Sequence, residues 1–255
     1  MLAIERKNEI MNKLRLEQRV LVSELAVHYG VTEETIRRDL DKLEKEGYAT
    51  KTYGGAIWGS SLKADLSHTI RNKTNVDAKS AIAAQICAMI HDGDHLMLDE
   101  SSTSLFIAKQ LKDKKNLTII TSSVEIVVEL SGTEGFTILC TGGMLRSTAL
   151  ALDGFHVPEF LSKYHVDKAI ISCKGIHAEA GITDSSEQIA MAKQAMIKSA
   201  HQTILAVDDS KFDKAAFRQV AAFDDIQMVV TNCKPTEYWQ KFFLEHDITC
   251  QYPEE

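Results

Sequence analysis

Near the start of the chain Ile4, Ile10, Met11 and Leu14 recur at roughly helical spacing, which predicts an amphipathic helix over residues 3–16. Residues 20–22, Val-Leu-Val, are a short apolar stretch. A short helix is then expected from about Ser23 to Tyr29, with Leu25 and Ala26 facing inward and Gly30 able to stop it in the left-handed conformation. Val31 tucks back, and Thr32 is placed to cap a third helix that runs through Glu46 and ends at Gly47. Within it Ile36, Leu40 and Leu43 fall at i, i+4 and i+7 and make one narrow apolar stripe. Glu34, Arg38 and Lys45 lie nearly opposite that stripe, with Thr35 and Arg37 flanking them near the helix start. Beyond Gly47, alternation through Tyr48, Thr50 and Thr52, then Gly54-Gly55 and Ala-Ile-Trp, predicts a β-hairpin.

Residues 59–78 are polar and lack sustained periodicity, so they read as a linker with one helical turn at most. From residue 79 the pattern changes. Short apolar runs at 96–99, 117–121, 136–140, 168–172, 203–207 and 228–231 read as buried strands. Helical patterns fit 79–90, 103–111, 124–131, 156–164, 187–200 and 236–245. Strands alternating with helices imply an α/β body whose mainly parallel sheet is covered on both faces. The expected organisation is a head over 1–58, a linker over 59–78 and a larger body over 79–255.

A short helix, a glycine turn, a longer helix with Thr and Arg at its start, and a hairpin together match a winged helix-turn-helix. In that motif the first residues of the second helix enter the major groove of DNA. The candidate contacts are Thr32, Glu34, Thr35, Arg37 and Arg38, with Lys51 and Tyr53 of the hairpin able to reach backbone phosphates. The adjacent arginines can divide the work, one bidentate to guanine and one to phosphate, in either order. One short helix offers few base contacts, so a dimer or tetramer on repeated half-sites of double-stranded operator DNA is expected.

In the body, the residues just after each strand are informative, because ligands of open α/β sheets sit beyond the carboxyl ends of the strands. Asp99 leads into Glu100, Ser101, Ser102, Thr103 and Ser104; Thr121 leads into Ser122 and Ser123. Thr141 is followed by Gly142, Gly143 and Arg146, Cys173 by Lys174 and Gly175, and Asp208 by Asp209, Ser210 and Lys211. Hydroxyls, glycines and a few cations on one rim suit a phosphate or a polyol, the anion held by helix N-termini and backbone N–H groups and the sugar hydroxyls by carboxylates. Neither a P-loop nor G-x-G-x-x-G occurs, which argues against ATP and dinucleotides, and no cofactor is expected.

Net charge is −7 and unevenly placed: residues 1–58 hold ten Lys/Arg and ten Asp/Glu, so the whole excess lies C-terminal to them. A neutral head on an acidic body permits DNA binding by the head if its basic residues share a face. The five cysteines are scattered and never spaced C-x-x-C, which suits small hydrophobes in a reducing cytoplasm. His165 and His177 lack partners at ligand spacing, and no metal site is expected. No apolar run is long enough for a membrane span, and Glu5, Glu9 and Glu17 interrupt the first segment as no secretory signal allows; a cytoplasmic location is expected.

These residues resemble the DeoR family of bacterial regulators over nearly the whole chain. In the head the resemblance rests on Val31 to Leu40, Leu43, Gly47 and Tyr53-Gly54-Gly55-Ala56. In the body it rests on Asp99 with the hydroxyl run to Ser104, Thr121 with Ser123, Gly142-Gly143 with Leu145-Arg146, and Asp167-Lys168-Ala169. Gly175, Gly181, Glu187, Lys193 and Asp208-Ser210-Lys211-Phe212 complete it. It implies a sugar-phosphate-responsive regulator, usually a repressor of a carbohydrate operon, with a body folded like ribose-5-phosphate isomerase, and it adds Glu187 and Lys193 to the candidate effector contacts. The chain departs from the family at Glu100-Ser101 (commonly Ser-Gly), at Thr121-Ser122-Ser123 (often Thr-Asn-Ser), and at Ile189 and Met191, which are acidic there. The competing reading is an isomerase-like enzyme with a helical head, in which Asp99, Glu187, Lys193, Asp208 and Lys211 supply acid, base and electrophile.

Overall fold

The computed structural model describes residues 2–45, 48–58 and 68–253. It divides into two compact units, Met1–Arg71 and Asn72–Glu255.

The first unit comprises α1 (Ala3–Glu17), β1 (Arg19–Leu21), α2 (Val22–Tyr29), α3 (Glu33–Lys45), β2 (Ala49–Thr52), β3 (Gly55–Trp58) and α4 (His68–Arg71). Gly30 ends α2 with φ 62, the left-handed geometry that glycine adopts without penalty. Thr32 then caps α3, its hydroxyl accepting the Thr35 N–H at 3.3 Å. Ile36, Leu40 and Leu43 of α3 are sealed against Ile10, Leu14, Val20 and Leu25, and each such buried aliphatic contributes about 1.5–3 kcal/mol. The expected stop of α3 at Glu46 and Gly47, with the Lys45 side chain, lies outside the described residues, as does the linker over 59–67.

Two features of this unit depart from the hydrophobic pattern. Ile4 is 65% exposed, whereas Arg6 is buried. Arg6, Ile10 and Leu14 share the inner face of α1, and the Arg6 Nε–H donates to Asp39 Oδ2 of α3 at 2.6 Å. A buried cation at an apolar position is tolerated because its carboxylate partner is buried with it. The second departure is that residues 19–21 pair antiparallel with β3, so the hairpin is part of a three-stranded sheet ordered β1-β3-β2.

The second unit contains α5 (Val76–Ala88), β4 (His95–Leu98), α6 (Ser102–Gln110), β5 (Thr118–Thr121), α7 (Val124–Leu130), β6 (Thr137–Cys140), β7 (Met144–Arg146), β8 (Ala151–Asp153) and α8 (His156–Leu161). It continues with β9 (Val166–Ile171), β10 (Gly175–His177), β11 (Gly181–Asp184), α9 (Glu187–Lys198), β12 (Ala200–Ala206), β13 (Arg218–Ala221), β14 (Met228–Val230), α10 (Glu237–Glu245) and β15 (Thr249–Gln251). Seven strands form one sheet in the order β15-β14-β12-β9-β4-β5-β6, every neighbouring pair parallel.

Strand side chains alternate between two cores, as a doubly covered sheet requires. Leu96, Leu98, Ile119, Ile170, Ile204 and Val230 pack with α5, α6 and α7. Met97, Ile120, Ile171, Leu205 and Val229 pack on the other face with α8, α9 and α10, including Trp239 and Phe243. The chain runs outward from β4 through β5 to β6 in one direction and from β9 through β12, β14 and β15 in the other. The strand order therefore reverses between β4 and β9, the position beyond whose strand ends open α/β sheets bind ligands.

Three short elements were not expected: the edge strand β15, the hairpin β7–β8, and an antiparallel sheet ordered β10-β11-β13. Strands β7, β8, β10 and β15 are three residues long, too short for a recognisable run, and β10, β11 and β13 bury only isolated apolar positions such as Ile176, Ile182 and Val220. Cys140 and Cys233, expected with the other cysteines as small buried hydrophobes, are exposed, Cys140 on the edge strand β6 and Cys233 in the loop after β14.

Candidate functional sites

On α3 the side opposite the apolar stripe carries Arg37 and Arg38, their side chains 50% and 73% exposed. Each pairs one turn back along the helix, Arg37 Nη2 with Glu33 Oε2 at 2.6 Å and Arg38 Nε with Glu34 Oε1 at 3.3 Å. The carboxylates sit in the first turn, where the helix dipole favours them. Such exposed pairs contribute roughly 0.3–0.5 kcal/mol, so a phosphate or a base edge displaces them at small cost. Thr32 and Thr35 are linked by their hydroxyls at 2.9 Å beside these pairs. A groove of about 440 Å³ between α3 and the β2–β3 hairpin is lined by Arg37, Lys51, Thr52 and Tyr53. Tyr53 is fully exposed at the hairpin tip, and the Lys51 ammonium rests on Asp41 while its backbone N–H donates to Glu44 Oε1 at 2.8 Å.

In the second unit the rim at the carboxyl ends of the strands is organised around a buried ion cluster. Lys193 of α9 is 3% exposed, and its ammonium donates to Ser172 O at 2.7 Å and Asp184 Oδ2 at 2.7 Å and lies 3.1 Å from Asp99 Oδ2. Asp99 also accepts from Ser172 N at 2.8 Å, Ser101 N at 3.1 Å and the Ser104 hydroxyl at 2.6 Å. One carboxylate thus ties the loop after β4 to the loop after β9, at the point where the sheet order reverses. Burial alone pulls the Lys193 pKa down, but the facing Asp184, Asp99 and Glu100 carboxylates outweigh it and hold the amine above its ordinary value. For Asp184, burial pushes up and Lys193 outweighs it, leaving the carboxyl below the usual range. Glu100 goes the other way: burial raises its pKa, Asp99 and Asp184 add to the rise, and Lys193 offsets it only in part.

Around this cluster the loops present the expected groups. Ser101 caps α6, accepting Ser104 N at 3.0 Å, and Ser123 caps α7, accepting Ile126 N at 3.3 Å. Ser102, Thr103, Ser104, Thr121, Ser122 and Ser123 are all buried. Gly142 and Gly143 have φ of 69° and 125°, and a Cβ at Gly143 would lie 2.5 Å from Asp153 O, so the loop into β7 needs glycine. Arg146 donates to Asp153 Oδ2 at 2.7 Å across the β7–β8 hairpin and lies 3.8 Å from Glu100 Oε1. The hairpin is in turn hydrogen-bonded to the loop after β5, through Leu152 N to Ser122 O and Val124 N to Leu150 O, each 2.8 Å. Lys174 is half-buried beside Asp184. Asp208 accepts from Ser210 through both its N–H, at 3.0 Å, and its hydroxyl.

Two sequence candidates stand apart from this group, and a third, Lys193, lies at its buried centre. Glu187 is exposed at the start of α9 and held by Arg218 at 2.7 Å. Gly175 is buried, and a Cβ there would meet Lys214 O at 2.4 Å, so its role is close backbone packing. Lys193 has its donors committed to three protein oxygens. Conversely, the sequence reading missed Asp184, which a short strand places against a lysine nine residues on, and it missed Asn75, which donates to Asp208 Oδ1 at 3.1 Å. Among the described residues no group of His, Cys, Asp or Glu is arranged to hold a metal ion.

The geometry of both units agrees with what the chain resembles. A DeoR-like helix-turn-helix domain matches residues 6–61, and the DeoR C-terminal sensor domain matches residues 74–233. The chain belongs to the DeoR family. Similar relatives include an uncharacterised helix-turn-helix regulator, YulB, of Bacillus subtilis, 38% identical over 91% of this chain and 90% of its own. They also include the glycerol-3-phosphate regulon repressor of Escherichia coli, 28% identical over 96% of each chain. Among solved structures, ribose 5-phosphate isomerase A from Methanocaldococcus jannaschii matches 55% of each chain at 16% identity with a TM-score of 0.40. This DeoR-family protein is accordingly a DNA-binding transcriptional regulator with a separate sensor domain, and among its described residues no helix is long and apolar enough to cross a membrane.

Proposed function

We propose that this regulator represses a carbohydrate-metabolism operon, and that a phosphorylated sugar or polyol bound at the rim of its sensor domain sets its affinity for the operator. The observation that carries the reading is the switch-point rim, where the hydroxyl-bearing loops and the N-terminus of α6 gather around the buried Lys193–Asp99–Asp184 cluster with Arg146 beside Glu100; Lys174 and Lys211 follow β9 and β12 on the same rim. An anion is held there by the backbone N–H groups of Ser102 and Thr103 in the first turn of α6 and of the loops at Ser122 and Gly142-Gly143, with those cations around it. Asp99, Asp208 and Ser210 accept the hydroxyl protons of the carbon chain. Lys193 acts through Asp99, holding its carboxylate in place between the loops after β4 and β9.

In the head, Arg37 and Arg38 read bases and phosphate while Thr32, Glu34 and Thr35 set their approach, and Lys51 and Tyr53 contact the backbone. Two or four copies act together on repeated half-sites, in the cytoplasm where the DNA lies. Sensing rather than turnover suits the rim, because its buried lysine is spent on protein oxygens and offers no electrophile. The test is titration of a duplex that the protein selects from random sequence, with and without phosphorylated sugars and polyols. Operator affinity is expected to shift roughly 5- to 150-fold with the right effector; an affinity indifferent to all of them contradicts the reading.

A further inference from the structure

Residues 72–79 open the sensor unit and come directly, in the chain, after the segment that leads from the head. They are fastened to the rim at two places. The Asn72 amide donates to Glu125 Oε1 at 2.8 Å, in the first turn of α7 just beyond β5. The Asn75 amide donates to Asp208 Oδ1 at 3.1 Å and Ser210 Oγ at 3.4 Å, on the loop after β12. Strands β5 and β12 are not neighbours: β4 and β9, which flank the switch point, lie between them. This short stretch therefore bridges the rim from one side of the switch point to the other.

Its conformation is specific. Asn75 has φ 51, a left-handed geometry that few residues other than glycine and asparagine accept. One turn on, Lys79 is buried, its ammonium donating to Thr74 O and lying 5.9 Å from the Phe106 ring centroid. Helix α5 is thus anchored at its start, while Asn75 itself is exposed and held by its side-chain amide.

We infer that residues 72–75 are a strap that reports effector occupancy to the head, with Asn75 as its releasable catch. The inference rests on the reading of the rim as the effector site. Asp208 Oδ1 takes donors from Ser210 N, Ser210 Oγ and Asn75 Nδ2, and of these three the asparagine is the longest and the only one from outside the loop. A hydroxyl of a bound sugar phosphate that donates to this oxygen displaces the asparagine first. The strap then keeps only the long 3.4 Å contact to Ser210 Oγ on the β12 side, and the chain leading to the head is loosened at that end. Effector and catch compete for one acceptor, which is how occupancy becomes a change in the linker.

The test compares wild type with Asn75→Gly, which keeps the left-handed backbone unstrained and removes the amide, and with Asn75→Asp, which sets a second carboxylate against Asp208. Three quantities are read on the full chain: hydrogen exchange over 72–79, binding of glycerol 3-phosphate and glucose 6-phosphate by calorimetry, and affinity for the selected duplex with and without each. In wild type the sugar phosphate that binds is expected to speed exchange over 72–79 about tenfold and to move DNA affinity. In both variants exchange is expected to be fast without it, its binding to be unchanged or tighter, and its leverage on DNA affinity to fall at least about fivefold. Full leverage retained in both variants overturns the strap while leaving the effector site standing. A wild type whose DNA affinity no phosphorylated sugar moves overturns the effector reading, and the strap with it.

Discussion

Asp39 sits on the recognition helix yet never meets solvent: its side chain is 3% exposed and accepts the Arg6 Nε–H at 2.6 Å. Removing one member of a buried pair leaves the other charged and unpaired, which costs about 3–5 kcal/mol. Asp39→Ala is therefore expected to lower the stability of the head by that order, read as a lowered urea midpoint, whereas Glu34→Ala on the exposed face is expected to cost under about 0.5 kcal/mol. Glu100 makes the opposite case in the sensor unit. Its folded pKa lies above the unfolded one, chiefly through burial, so the unfolded chain gives up its proton first as pH rises. Stability is thus lost as pH climbs through the range between the unfolded and folded pKa. Glu100→Gln, always neutral, is expected to be more stable than wild type at pH 8, with the gap closing towards pH 4; a pH-independent gap would contradict this account. None of these pairings was legible in sequence, because Arg6 and Asp39 lie 33 residues apart and Asp99 meets Lys193 only after the sheet has formed.

At the scale of elements much more was legible. The stripe Ile36, Leu40 and Leu43 announced α3 and its outward face, and six apolar runs announced the central strands, because both patterns report burial directly. What stayed hidden were three-residue strands, too short to show a period of two, such as β1 on β3 and β15 on β14. The glycine pair in the head shows how a turn signal can serve two ends. Gly54 takes φ +82 at the hairpin tip, but Gly55 is needed because a Cβ there would lie 2.1 Å from Val20 O. Gly55→Ala must therefore push β1 from β3, at about 1–3 kcal/mol for the forced shift. The expected result is a head with a lowered unfolding midpoint and weakened DNA binding, beside a sensor unit whose unfolding is unchanged. An unaltered head would mean that the β1–β3 pairing has no structural weight.

For the whole molecule, two compact units with separate cores predict two unfolding transitions. A sugar phosphate at about 100 times its dissociation constant stabilises the state that binds it by roughly 2.7 kcal/mol. Only the sensor transition is expected to move in calorimetry, and a shift of the head transition alone would place the ligand elsewhere. The central claim nonetheless lies in the head, where two guanidinium groups project from a helix locked by Arg6 and three aliphatic side chains. The most direct test is fluorescence anisotropy of the selected duplex with wild type, Arg37→Ala and Arg38→Ala, with circular dichroism confirming that each variant is folded. A bidentate base contact is worth about 1–3 kcal/mol, so at least one variant is expected to bind roughly 5- to 150-fold more weakly and to discriminate less among duplex sequences. Wild-type affinity and selectivity in both folded variants would contradict the account.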